Sequence, residues 1–281
     1  MEISSSNLSF RISMVNLDEL KPHEEVIDPA VGSLANDVLN EGILRDPLVV
    51  DQEDYVILDG MHRFNSLKLL KCRFVPCCLV DYDNPQIKVG AWFRLFAVEE
   101  TETLAEKLLK EAGLNYSRHS IDLASPSYSP QTIILTRGKS EFSLPEPMDP
   151  IQRARTAVSL EGAMVKAGHA VTYLPETRAL QELQSNEMNF IISVPIFTKE
   201  QIREFGVEGR LLPHKVTRHV MPSRPLGIDI PLPMLTDRTI SLDEANRKLG
   251  ELLAQRHIDR KPPGSVVDGR RYEEELLIFT P

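Results

Sequence analysis

Tyr55-Val56-Ile57-Leu58-Asp59-Gly60-Met61-His62-Arg63 is the stretch on which the reading of this chain turns. Tyr55 to Leu58 reads as a short buried strand, and Phe64, Leu67 and Leu70 recur behind it at helical spacing. Asp59 to Arg63 are therefore the handover from strand to helix. The first turn of a helix leaves backbone N–H groups without intrahelical acceptors and carries a partial positive charge. A Gly lets the backbone approach a ligand closely, and the His and Arg add donors. Together they describe an anion site, and the expected ligand is a phosphate. Read alone, the same residues serve equally as a β-turn with a solvated Arg and a capping Asp.

Upstream stands Leu20-Lys21-Pro22-His23-Glu24-Glu25, followed by the clearest helix of the chain. Asp28 and Pro29 are its N-cap and first-turn pair, Val31, Leu34, Ala35, Val38 and Leu39 form one face, and Gly42 stops it. Gly42-Ile43-Leu44-Arg45-Asp46-Pro47-Leu48-Val49-Val50 leads on to the phosphate strand. In this order the motifs resemble the ParB/sulfiredoxin-like nucleotide-binding fold over roughly the first third of the chain. A sulfiredoxin needs a reactive Cys directly before the His of the turn, where this chain has Met61, which cannot form a thiolate. A chromosome-partitioning ParB should carry an Arg-rich CTP loop and a basic helix-turn-helix, and neither is found.

The resemblance extends furthest to the free serine kinases, including the ADP-dependent enzymes of archaea and the serine kinase of staphyloferrin B siderophore clusters. It rests on Lys21-Pro22-His23-Glu24 and on Val216-Thr217-Arg218-His219-Val220-Met221-Pro222, and spans residues from about 12 to 235. Ile228-Asp229-Ile230-Pro231-Leu232 and Arg271-Tyr272-Glu273-Glu274-Glu275-Leu276-Leu277-Ile278 are similar to the extension of the siderophore enzyme.

The resemblance implies transfer of a phosphoryl group from ADP or ATP to the hydroxyl of L-serine. It assigns Glu24 as the carboxylate that accepts the hydroxyl proton, with Glu25 as its natural control. Gly60, Met61 and His62 would offer backbone N–H groups, and Arg63 would grip phosphate oxygens through two parallel hydrogen bonds. Asp59 is suited to a Mg²⁺ ion or to the incoming hydroxyl, and a capping role is as good a reading of it. Trp92 would wall the amino-acid pocket, with core packing as the alternative. Thr217, Arg218 and His219 would hold the carboxylate or the product phosphate, and Ile43, Leu44 and Arg45 would neighbour adenine. His23 could orient Glu24 or contact phosphate.

Composition bounds these readings. With 281 residues, 42% of them hydrophobic, the chain can bury a sizeable core and form two domains. A net charge of -9 disfavours broad nucleic-acid binding, which depends on Lys and Arg neutralising phosphates. No apolar run reaches the roughly 18 residues of a membrane span, and the Met1-Glu2-Ile3-Ser4-Ser5-Ser6 start lacks the regions of a signal peptide, so the expected location is the cytoplasm. Cys72, Cys77 and Cys78 fit no paired zinc pattern and read as reduced core thiols.

The expected architecture is α+β: a ParB/sulfiredoxin-like nucleotide-binding domain over 1–97, a smaller α/β domain over 98–214, and a return segment to an active-site cleft with a C-terminal helix-strand extension over 215–281. Strands are expected at Phe10 to Leu17, Pro47 to Asp51, Asp54 to Leu58, Phe74 to Asp81 and Ile87 to Phe93, and the phosphate-turn helix to about Lys71. Thr103 and Glu106 read as a capping box, Asp149-Pro150 as a helix start, Thr198 with Gln201 and Ser241 with Glu244 as further caps. Ser125 to Pro130 is turn-like, and Arg137-Gly138 is the tip of a hairpin. Arg260 to Gly269 reads as a mobile loop, and Leu276 to Phe279 as a strand pairing with the core.

Two other functions compete: a ParB-like protein that binds nucleotide or another metabolite as a regulatory switch without turnover, and a kinase of threonine or homoserine. Glu24 together with Thr217-Arg218-His219 favours the serine kinase, since a nucleotide switch needs neither.

Overall fold

The computed structural model describes residues 1–4, 8–121, 132–137, 140–183 and 189–281. The turn expected over Ser125 to Pro130 and the hairpin residue Gly138 lie outside the described residues. Contacts divide the chain into two compact units, one of residues 1–88, 199–211 and 219–281, the other of 89–198 and 212–218.

The first unit opens with β1 (Glu2–Ser4), β2 (Ser9–Asn16), α1 (Asp28–Glu41), β3 (Ile43–Leu44), β4 (Leu48–Asp51), β5 (Ile57–Asp59), α2 (Met61–Leu69) and β6 (Phe74–Val80). Its main sheet has the order β1-β2-β6-β4-β5, with β4 and β6 parallel and the other neighbours antiparallel. Every residue of β6 is buried, as the continuous apolar run Phe74-Val75-Pro76-Cys77-Cys78-Leu79-Val80 requires of a central strand. Cys72, Cys77 and Cys78 are buried free thiols, each pushed up in pKa by burial. α1 ends at Gly42, which is left-handed at φ 71°. Its N-cap is Ile27, with Asp28 and Pro29 already in the first turn. α2 stops at Leu69, short of the expected end, and Lys71 turns the chain at φ 55°.

The second unit carries β7 (Lys88–Phe96), α3 (Thr101–Glu111), β8 (Ser117–Ser120), β9 (Thr132–Thr136), β10 (Ser140–Ser143), α4 (Pro150–Lys166), β11 (Thr172–Pro175), α5 (Glu176–Glu182) and β12 (Phe190–Ile192). The sheet order is β11-β7-β12-β9-β10-β8, and β13 (Thr217–Val220) also pairs β7. The Asp149 side chain caps α4 by accepting from Gln152 N at 3.0 Å. The expected capping box at Thr103 and Glu106 is not formed. α3 starts at Thr101 with Glu100 at the N-cap, and Glu106 pairs with Arg118 at 3.1 Å.

The chain returns to the first unit with α6 (Lys199–Glu208), which is pinned to that unit by two cations. Lys199 Nζ donates to the Tyr82 and Asn84 carbonyls at 2.7 and 2.8 Å, and Arg203 reaches Asp51 Oδ2 and Asp83 Oδ1, each at 2.7 Å. Then follow β14 (Ser223–Leu226), β15 (Ile230–Pro231), α7 (Leu232–Thr236), α8 (Leu242–Leu253), β16 (His257–Lys261), β17 (Val266–Val267), β18 (Arg270–Arg271) and β19 (Glu275–Thr280). Ser241 Oγ caps α8 by accepting from Glu244 N at 3.2 Å. β19 does not join the main sheet. It pairs parallel with β14 and antiparallel with β16 in a sheet of its own. The stretch read as a loop, Arg260 to Gly269, begins in β16 and continues into the hairpin of β17 and β18.

Candidate active site

The strand-to-helix handover expected at Asp59 to Arg63 is present. Asp59 ends β5, Gly60 is the N-cap of α2 at φ 105°, and Met61 opens the helix. A Cβ on Gly60 would stand 2.9 Å from Leu48 Cγ and 3.2 Å from Arg63 Nε, so close packing as well as backbone conformation requires glycine. The Met61 side chain is buried, leaving its amide as the group it can offer a ligand. The first-turn amides of α2 face the direction in which a helix terminus attracts anions.

Two guanidinium groups converge on Asp59. Its Oδ2 accepts from Arg63 Nη2 at 2.7 Å and from Arg224 Nη1 at 2.6 Å. Burial pushes this carboxyl up, but Arg224 and Arg63 outweigh it and hold Asp59 well below the usual carboxylate range. Arg63 Nη1 also donates to the Pro47 carbonyl at 2.6 Å, so both of its terminal nitrogens bond within the protein. Arg224 was not singled out from the sequence.

The Lys21-Pro22-His23-Glu24 segment lies alongside β5. Lys21 N donates to Tyr55 O at 2.9 Å and Ile57 N to Lys21 O at 3.0 Å, forming a parallel bridge between Lys21 and Val56. The segment is therefore held against β5 at Lys21, three residues before Glu24. His23 is buried, and its Nδ1 donates to the Ile57 carbonyl at 2.7 Å. Burial lowers its pKa to about 4, so the ring is neutral. Downstream, Ile27 N donates to His62 Nε2 at 3.4 Å, tying the start of α1 to the first turn of α2.

His219 stacks edge-on against His23 with ring centroids 5.5 Å apart. Its Nε2 bonds the Tyr82 hydroxyl at 2.7 Å, and the ring also hydrogen-bonds the Leu58 backbone. Burial, aided by His23, lowers its pKa to about 3. Both polar interactions of the ring are therefore made within the protein, with Tyr82 and with the backbone of Leu58 in β5.

Ile43, Leu44 and Arg45 are paired with the later segment. Ile43 and Leu44 face Pro231 and Ile230 in β15, and Asp229 N donates to the Arg45 carbonyl at 3.1 Å. Leu44 is in the core, and the exposed Arg45 pairs with Glu41 at 2.8 Å.

In the second unit, Trp92, Thr217 and Arg218 come together. Trp92 is half-buried on β7, and the Arg218 guanidinium and the Lys215 ammonium each lie 5.5 Å from the centroid of its ring. Arg94 organises this cluster from below. Fully buried, it pairs with Glu161 at 2.9 Å and donates to the carbonyls of Trp92, Lys215 and His214 at 2.7, 2.9 and 3.1 Å. Neither Arg94 nor Lys215 was picked out from the sequence. A lone charge within Ala91-Trp92-Phe93-Arg94-Leu95-Phe96 was the available signal. Among the described residues, no three His, Cys, Asp or Glu side chains converge as a metal site.

Residues 2–90 match the model of the ParB N-terminal domain family. The chain is 27% identical over 225 residues to the ADP-dependent L-serine kinase SerK of Thermococcus kodakarensis, covering 78% of this chain and 90% of that one. It is 24% identical over 233 residues to an ATP-dependent L-serine kinase of Desulfurococcus mucosus, covering 79% and 90%. The chain is similar to free serine kinases. Among solved structures, a free serine kinase variant in complex with ADP superposes with a TM-score of 0.66 at 23% identity, over 80% of this chain and 93% of the other. SbnI of Staphylococcus aureus, C-terminally truncated, superposes at 0.69 with 19% identity, over 86% and 95%. These likenesses agree with the expected fold, a ParB-like domain joined to a further α/β unit. No helix is long and apolar enough to cross a membrane among the described residues.

Proposed function

We propose that this protein is a free L-serine kinase that transfers a phosphoryl group from ADP or ATP to the serine hydroxyl, giving O-phospho-L-serine. The observation that supports the reading is the attachment of the Lys21-Pro22-His23-Glu24 segment to β5, through the Lys21–Val56 bridge and the His23–Ile57 bond, beside the strand that ends in Asp59. Phosphoryl transfer asks a protein to align two reactants and neutralise charge on the moving group. The first-turn amides of α2 and the Arg63 guanidinium supply the neutralising donors. Glu24 accepts the hydroxyl proton as the serine oxygen forms its bond to phosphorus and the bond to the leaving phosphate breaks, releasing AMP from ADP or ADP from ATP.

Asp59 is the residue that would hold Mg²⁺. Its Oδ2 is taken by two arginines, and Oδ1 remains for an ion that draws its other ligands from phosphates and water, as Mg²⁺ commonly does. Bound there, Mg²⁺ would offset charge on the nucleotide phosphates. Trp92, Arg218 and Thr217 would receive the amino acid, the guanidinium matching its carboxylate. His219 would act by fixing β5, and Ile43 and Arg45 remain the candidates to border the base. Both a donor diphosphate and a triphosphate suit a turn built from backbone amides, and the two curated kinases differ in donor by name.

Phosphorus NMR of the protein with Mg²⁺, L-serine and either ADP or ATP tests this. A phosphomonoester signal with one donor is expected and identifies that donor. Product from threonine or homoserine in place of serine would reassign the acceptor. Nucleotide binding without product from any of them would favour the regulatory reading that a ParB N-terminal domain also allows.

A further inference from the structure

The two arginines on Asp59 are held very differently. Arg63 is local, four residues along the chain, and has 19% of its side chain exposed. Arg224 comes from β14, 165 residues away, and has 9% of its side chain exposed. Its guanidinium works in two directions: Nη1 donates to Asp59 Oδ2 at 2.6 Å, and Nε donates to Glu274 Oε1 at 2.7 Å. Glu274 immediately precedes β19, and β14 and β19 are joined by parallel pairing that sets Arg224 opposite Leu276. Sheet geometry thus fixes the distance between Arg224 and Glu274. A planar guanidinium engaged on two different edges by two carboxylates cannot rotate without losing one of them.

We propose that Arg224, braced by Glu274, is a positioning residue that aims the Asp59 carboxylate at the phosphate turn, so that the C-terminal segment takes part in the site. Arg270, in the β17–β18 hairpin of the same segment, is a further cation acting on Asp59. The consequence for turnover rests on the serine kinase reading; the bracing itself is a property of the resting protein.

A double-mutant cycle separates the brace from a plain charge effect. The coupling between Arg224 and Asp59 is measured in the full chain by urea unfolding of Arg224→Lys, Asp59→Asn and the double variant. If Glu274 braces Arg224, the coupling is expected to be lost when the cycle is repeated with Glu274→Ala, because the freed guanidinium no longer holds its aim. If Glu274 acts only through its charge, removing it leaves the coupling equal or larger. Undiminished coupling in the folded Glu274→Ala background overturns the proposal. Should Glu274→Ala not fold, Glu274→Asp, which keeps the charge and shortens the reach, takes its place and decides alone.

In parallel, phosphoserine formation by Arg224→Lys is expected to fall about 10- to 100-fold in kcat, the scale of a small misplacement in a site, with KM for nucleotide little changed. Absence of product from the unaltered protein would remove the kinase reading while leaving the unfolding cycle to judge the brace.

Discussion

The Nδ1 of His23 and the backbone carbonyl of Ile57 are joined by a 2.7 Å hydrogen bond, which locks the Lys-Pro-His-Glu segment onto the strand that ends in Asp59. The residue before Glu24 is thereby tied to a residue two before Asp59, although the two motifs stand 35 residues apart in the chain. Extended neighbours project to opposite sides, so Glu24 and Glu25 cannot share one role.

Glu24→Gln is expected to lower phosphoserine formation by about 10²- to 10⁴-fold, the range supplied by a general base. Nucleotide affinity by calorimetry should change little, because the role proposed for Glu24 is toward the acceptor. Glu25→Gln should keep activity within a few-fold of the parent on the order of measurement scatter. Equal losses in both variants would remove the assigned role of Glu24.

Gly60 faces two constraints, a φ of 105° and the side chains of Leu48 and Arg63 at 2.9 and 3.2 Å from any Cβ. Gly60→Ala should cost about 1–3 kcal/mol in urea unfolding and weaken nucleotide binding, because Arg63 must move. Gly162 in the interior of α4 has open space around its Cα and a helical backbone. Gly162→Ala should be neutral or stabilise by up to about 1 kcal/mol. A neutral Gly60→Ala variant with intact nucleotide affinity would show that the turn can relax and that Arg63 placement is unimportant.

The features legible in the sequence are those with a local cause. Asp149 and Ser241 cap their helices because the hydroxyl or carboxylate reaches an amide three residues on, a relation that adjacent sequence displays. The Asp59-to-Arg63 turn is legible for the same reason. Arg224 and Glu274 are not: they meet at 2.7 Å across 50 residues, through the parallel pairing of β14 and β19, and no spacing announces it. Arg94 sits between these cases. Its charge in an apolar strand called for a buried partner, but Glu161 lies 67 residues away on α4 and could not be chosen from among the acidic residues. His219 was legible as part of a Thr-Arg-His run, whereas its commitment to Tyr82 depends on a contact 137 residues apart.

The buried histidines set an acid limit to stability. His23 has a folded pKa of about 4 against 6.5 when unfolded, and His219 about 3. Above pH 6.5 both states carry neutral rings and nothing is lost. As pH falls through 6.5 the unfolded chain takes up protons that the folded protein refuses, so stability declines until the folded pKa is reached. For His23 alone the slope is about 1.4 kcal/mol per pH unit, or roughly 3 kcal/mol across the window. Asp59, held well below the usual carboxylate range, adds a loss of its own only below about pH 5, where the unfolded carboxyl takes up a proton that the folded one refuses. Urea unfolding at about pH 7 and about pH 5 should show the decline in the parent protein and a shallower one in His23→Gln, whose side-chain amide can still donate to Ile57 but cannot titrate. An identical decline in both proteins would mean that His23 does not carry the effect.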